Sequence, residues 1–207
     1  ALAAYRGSWL PRKIVDIPAL DSCRKWRDWQ AKNDEIELIE AEENRLNLKG
    51  KVLDALIKAR LLGGGAIFIG TGDANPEEPL DYEDVSKGGL KYLTVLSKRD
   101  MSAGPIDQDV NSEFHGKPSY YEVTGNNAMV RIHPSRLVIF AGAKHPDSLM
   151  MGIQDGWGDS VLTATLDAIK NADSTAGNIA SLVFEAKIDV IRLPNFMASL
   201  GNEEYKR

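Results

Sequence analysis

The strongest constraint in this sequence is an amphipathic helix that stops on three glycines and runs directly into a continuous apolar segment. Val52, Leu53, Leu56, Ile57 and Leu61 recur with helical spacing and form an apolar stripe. Gly63, Gly64 and Gly65 end it, since glycine adopts the left-handed C-terminal conformation without steric cost. Ala66-Ile67-Phe68-Ile69-Gly70 is apolar throughout and bounded by glycine, the pattern of a buried strand. A chain that houses this helix and this strand in succession mixes α and β structure.

The remaining segments fill in that picture. Pro11 and Pro18 punctuate the N-terminal stretch, and Ser8 with Pro11 and Asp21 with Arg24 predict two short helices there. Trp26 and Trp29 are three apart, so on a helix they share a face as core or subunit anchors. Residues 34–62 read as two helical pieces meeting near Asn47, with the charges at 34–45 on the solvated side. Asp73–Pro79 is an exposed loop and Leu90–Ser97 a strand. Tyr120–Thr124 and Met129–His133 flank Gly125-Asn126-Asn127, a hairpin signal, and Arg136–Ala141 follows as a third strand.

A second loop, 143–158, places Gly152, Gly156 and Gly158 around Trp157. Asp159 and Ser160 are positioned to cap a long helix near 159–185, whose small residues on one face admit a close neighbour. Ile188–Leu193 is strand-like, and Pro194 starts a final short helix. The expected fold is α+β: an antiparallel mixed sheet (a meander) packed with several helices. Its helical N-terminal part covers 1–65, its sheet part 66–142 and its helical C-terminal part 159–207.

Charge limits the partners. The 207 residues carry 25 basic and 30 acidic groups, and the excess sits in residues 61–125, with 5 basic against 11 acidic. Gripping a phosphate backbone requires concentrated positive charge, so a nucleic-acid clamp is excluded, whereas a conduit that lets DNA slide is not. The lone Cys23 rules out an internal disulfide and fits a reducing compartment. No run approaches the length of a membrane helix. The opening Ala1-Leu2-Ala3-Ala4-Tyr5 has no Met and reads as part of a longer chain.

Motifs for chemistry fail one by one. Gly65 and Gly70 have P-loop spacing, but Thr71-Gly72 stands where Lys-Ser/Thr would hold phosphate. Asn75-Pro76 replaces the third glycine of a dinucleotide fingerprint. Asp107, Asp109, Asn111 and Glu113 alternate like calcium ligands, but Ser112 replaces the turn glycine and Pro118 the final Glu, leaving a solvated acidic loop. His115, His133 and His145 are scattered, and Cys23 has basic neighbours but no base. No catalytic residue, metal or cofactor is expected.

The order of weaker motifs is more specific. Tyr5-Arg6-Gly7-Ser8-Trp9-Leu10-Pro11-Arg12-Lys13-Ile14-Val15-Asp16-Ile17-Pro18-Ala19 precedes Arg24-Lys25-Trp26-Arg27-Asp28-Trp29, and then comes Ala59-Arg60-Leu61-Leu62-Gly63-Gly64-Gly65-Ala66-Ile67. Ile132-His133-Pro134-Ser135-Arg136-Leu137-Val138-Ile139-Phe140 and Gly156-Trp157-Gly158-Asp159-Ser160-Val161-Leu162 follow. Over essentially its whole length the chain resembles the N-terminal half of tailed-phage portal proteins, in the phage-associated group long known as a domain of unknown function.

That resemblance implies a structural subunit, not an enzyme. It implies a homo-oligomeric ring at one capsid vertex, usually a dodecamer, through which double-stranded DNA passes without sequence-specific binding. The large terminase subunit and capsid and head-completion proteins would be its partners, with no membrane involved. It would reside in the virion and, during assembly or as a prophage product, in the bacterial cytoplasm. This part would be the outer wing, with stem, clip and crown beyond it. Trp26, Trp29, Trp157 and Arg136 are the candidate interface or core anchors. A phage-encoded enzyme and a stand-alone adaptor are the competing classes.

Overall fold

The computed structural model describes residues 1–72, 75–83, 85, 88–124, 129–144 and 156–186. Four helices come first: α1 (Leu2–Gly7), α2 (Trp9–Arg24), α3 (Asn33–Leu46) and α4 (Leu48–Leu62). The α3–α4 corner turns on Asn47 in the left-handed conformation, φ 50°. Helix α4 ends at Gly63, φ 90°, whose N–H returns to the carbonyl of Ala59 at 2.8 Å.

Six strands follow among the described residues: β1 (Gly64–Gly70), β2 (Tyr92–Ser97), β3 (Met101–Ala103), β4 (Tyr121–Thr124), β5 (Met129–Ile132) and β6 (Leu137–Ala141). They form two antiparallel three-stranded sheets, ordered β2-β1-β6 and β3-β4-β5. The glycine-bounded apolar run is thus the central strand of the first sheet, which explains why it is apolar on both faces. On one face Ile67 and Leu93 pack with Leu46 of α3 and Ala55 of α4. On the other, Ala66 and Leu137 meet Met101, Tyr121 and Ile132 of the second sheet, together with Trp157. Helices, first sheet and second sheet form successive layers, and α2 lies on α4 through the stripe Pro11, Val15, Ala19 and Cys23.

The α+β class, the antiparallel strands and a long C-terminal helix are as expected, but several details differ. Strands β4 and β5 do pair antiparallel as expected, with Thr124 opposite Met129. The third strand of the expected meander instead crosses to β1, with Leu137 opposite Phe68. The cause is a 3₁₀ turn at Pro134–Arg136 that redirects the chain from one sheet to the other. From Trp9 to Arg24 one helix, α2, runs through Pro18, where two short ones were expected. Trp26 and Trp29 follow it in an irregular segment, so helical spacing does not relate them.

Residues 1–167 form one compact unit and residues 168–207 another. The long helix, α5 (Leu166–Glu185), begins later than expected, after a 3₁₀ turn at Thr163–Thr165. Ser160 does not cap it: its Oγ accepts the N–H of Leu162 at 3.3 Å, and Asp159 bridges to Ala143. Helix α5 leaves Ile179, Leu182, Val183 and Phe184 exposed. The hairpin turn at 125–127, His145, Gly152, the strand at 188–193 and the helix after Pro194 fall outside the described residues.

Candidate docking site at the edge of the first sheet

The turn that carries the chain between the sheets also borders a broad concavity. His133 caps it: its Nδ1 accepts the N–H of Ser135 at 3.2 Å and lies 2.7 Å from Ser135 Oγ. Pro134 occupies the first turn position, where no N–H is needed. Ser135 Oγ accepts the N–H of Leu80 at 2.8 Å, and Ser135 O accepts the Tyr82 hydroxyl at 3.1 Å. The imidazole meets the edge of Phe114 with centroids 5.3 Å apart. Burial, reinforced by nearby Arg136, holds the His133 pKa below its ordinary value. A hydroxyl beside an imidazole invites comparison with a nucleophilic dyad, but here the imidazole accepts the turn amide of Ser135 and the hydroxyl accepts the amide of Leu80.

Arg136 completes the arrangement. Its side chain is 3% exposed. Its Nε donates to the carbonyl of Glu78 at 2.7 Å and its Nη1 to Thr71 Oγ1 at 3.3 Å. It fastens the segment around Glu78 to the end of β1, an internal tie and not a strand residue facing outward. Arg131, on β5, is the exposed arginine: it pairs with Glu122 at 2.9 Å and stacks on Tyr120 at 4.7 Å.

Between this turn and the edge strand β6 opens a cleft of about 900 Å³. Leu80, Phe114 and Pro118 line it beside Val138 and Ile139, two exposed apolar residues of β6. Strand β6 pairs only with β1 among the described residues, and no described strand lies on its outer edge. Of the charged residues, Glu113 and Lys117 line it; Asp81 and Glu83 are exposed on either side of the lining Tyr82. The Asp107–Glu113 loop folds as successive Asx turns, Asp107 Oδ1 accepting from the N–H of Asp109 and Asp109 Oδ1 from that of Asn111. Hydrogen bonds from Ser112 and the Asp109 amide pull the Asp107 pKa down. Among the described residues, no three His, Cys, Asp or Glu side chains are placed to hold a metal. No described helix is long and apolar enough to cross a membrane.

The four residues singled out from sequence are not brought together. Trp157, 2% exposed, sits in the core against Tyr121, ring centroids 5.9 Å apart. Gly64 leaves room for it, because a Cβ there would lie 2.1 Å from Trp157 Cε3. Trp26 and Trp29 flank Arg27, whose guanidinium lies 4.9 and 4.7 Å from the two ring centroids. Glu43 of α3 accepts from Arg27 Nε at 2.8 Å and from Trp26 Nε1 at 3.0 Å. Trp29 Nε1 is buried without a hydrogen-bond partner. The cleft itself escaped sequence reasoning, although an acceptor side chain followed by Pro, as in His133-Pro134, is a turn-start signal.

A family model described as phage portal protein matches residues 1–206. A protein of Caulobacter sp. (strain RHG1) named Anti-CBASS protein Acb1 is 50% identical over 93% of this chain and 31% of its own length. One of the same name from Sphingomonas paeninsulae is 45% identical over 96% and 32%. An uncharacterized protein of Haemophilus influenzae is 31% identical over 92% of the chain and 43% of its own. The chain therefore spans about a third of the first two relatives. A chain from a solved assembly, the neck of a native GTA particle computed with C12 symmetry, is 15% identical with a TM-score of 0.43, over 92% of this chain and 48% of its own.

Proposed function

The chain belongs to the phage portal protein family, and on that premise we propose that it is part of the wing of a portal subunit. Copies of the full subunit assemble into a ring, a dodecamer in the form we favour, at one vertex of the capsid. The ring passes double-stranded DNA during packaging and ejection and docks the large terminase subunit and head-completion proteins. The product is a virion component that assembles in the bacterial host cytoplasm. The observation that carries this reading is the match of the family model to residues 1–206. The layered body and the acidic middle of the chain support it, since a conduit wall that repels phosphate does not retard sliding. Electron microscopy of the full-length protein tests it: closed rings are expected, and a discrete monomer at high concentration overturns it.

The name of two relatives favours a second reading, in which this part of the chain contributes to an anti-CBASS activity. We assign that activity to the two thirds of those proteins beyond the aligned part. Supplying the full-length protein to a CBASS-bearing host and scoring phage plating separates the readings. Unchanged plating leaves the structural role alone, and restored plating by residues 1–207 alone overturns our assignment.

A further inference from the structure

Residues 75–82 form an irregular strap fastened along the segment 131–136, where the chain crosses from the second sheet to the first. The His133 N–H donates to Pro76 O at 2.9 Å, and Arg136 Nε to Glu78 O at 2.7 Å. The Leu80 N–H donates to Ser135 Oγ at 2.8 Å and the Tyr82 hydroxyl to Ser135 O at 3.1 Å. Glu77 pairs with Arg131 at 3.7 Å. The strap therefore depends on the shape of the 3₁₀ turn beneath it.

That shape runs through one ring nitrogen. His133 Nδ1 accepts the Ser135 N–H at 3.2 Å, which places the ring proton of the neutral imidazole on Nε2. Ser135 Oγ, 2.7 Å from the same Nδ1, is then the donor in that contact, while its lone pairs accept the Leu80 N–H. A proton on Nδ1 faces the Ser135 N–H donor to donor and forces the hydroxyl to turn. It also adds positive charge near Arg136, the charge that acts on this ring. The other titratable groups that share the cleft with His133 are Tyr82 of the strap, Glu113 and Lys117 around Phe114, and Tyr121 of β4.

We propose that His133 is a pH-sensitive latch: proton uptake at Nδ1 frees the strap 75–82 from the crossover while both sheets stay folded. The sheets are held independently, by the core around Trp157, Tyr121, Ile132 and Leu137. Leu80, 8% exposed, opposes release, so the latch shifts a population and does not unfold the segment outright. Freed from the strap, the imidazole returns to water and to its ordinary pKa, above its latched one. The released population therefore grows as pH falls through that interval. Release withdraws Pro79, Leu80 and Tyr82 from the cleft wall, so the cleft widens in acid.

Hydrogen exchange of the full-length protein at pH 7.5 and 5, each corrected for intrinsic amide rates, tests this. Protection of peptides within 77–82 should fall about threefold or more in acid, while peptides of β1 change far less. His133→Asn keeps an acceptor for the Ser135 amide and cannot titrate, so its strap protection should not respond to pH. Ser135→Ala breaks the relay, and Leu80 should exchange fast at both pH values. Wild-type strap protection that is the same at both pH values overturns the inference, as does a fall shared equally by β1. An equal acid response in His133→Asn also overturns it, by assigning the proton to another group such as Glu113. The wild-type comparison of strap with β1 decides by itself if either variant fails to fold.

Discussion

Arg60 supplies the donor that Pro18 lacks. A proline inside a helix has no N–H for the carbonyl four residues back, here that of Ile14. Arg60 Nη2 donates to Ile14 O at 2.8 Å, and its Nε to Val15 O at 3.0 Å. The freed Ile14 carbonyl is satisfied from α4, and the second bond, to Val15, helps fasten α2 to the next layer.

Arg60→Ala should therefore destabilise the protein by about 1–3 kcal/mol, the cost of leaving partly buried acceptors without donors. In a Pro18→Ala background the helix recovers its own N–H, and the cost of losing Arg60 should fall by about half or more. A double-mutant cycle in urea measures that coupling; equal costs in both backgrounds would sink the explanation.

Trp157→Ala should cost about 3–5 kcal/mol, because it empties the centre of the sheet-to-sheet core. Gly64→Ala should cost about 1–3 kcal/mol through overpacking against the same indole. The two are coupled: with Trp157→Leu in place, the Gly64→Ala penalty should shrink. Chemical denaturation of the four proteins reads it directly.

The depressed pKa of His133 sets a pH dependence. Its folded value lies below the ordinary 6.5, so the unfolded chain binds the proton more readily. The stability it contributes is complete above that value and is lost as pH falls below it. His133→Asn keeps the cap acceptor and removes the titration. Thermal midpoints between pH 7.5 and 5 should fall less in the variant than in the wild type.

Arg136→Met removes the donors that hold the carbonyl of Glu78 and the hydroxyl of Thr71. A loss of about 2–4 kcal/mol is expected for breaking a buried charged hydrogen-bond set. Hydrogen exchange should accelerate most in residues 75–83. Uniform acceleration across both sheets, with no excess in that segment, would show that Arg136 is not a local tie.

How legible the fold was depends on how local each cause is. The helix stripe from Val52 to Leu61, its glycine stop and the buried strand after it follow from spacing and from backbone freedom at Gly63, which neighbours in sequence dictate. The hairpin partners Tyr121–Thr124 and Met129–Ile132 follow from alternation around a turn signal. Family membership was likewise readable, because motif order survives where single motifs are weak.

The rest was decided by tertiary packing. Pro18 breaks a helix unless a distant donor arrives, and Arg60 lies 42 residues further along the chain. Arg136 looks like a solvated strand charge until the segment around Glu78 folds over it. The strand it precedes joins the other sheet because Leu137 is buried only beside Ala66 and Trp157. Hydrogen-bond satisfaction and burial are properties of groups brought together in space, so residues far apart in sequence settled the α2 helix, the sheet order and the cleft beside β6.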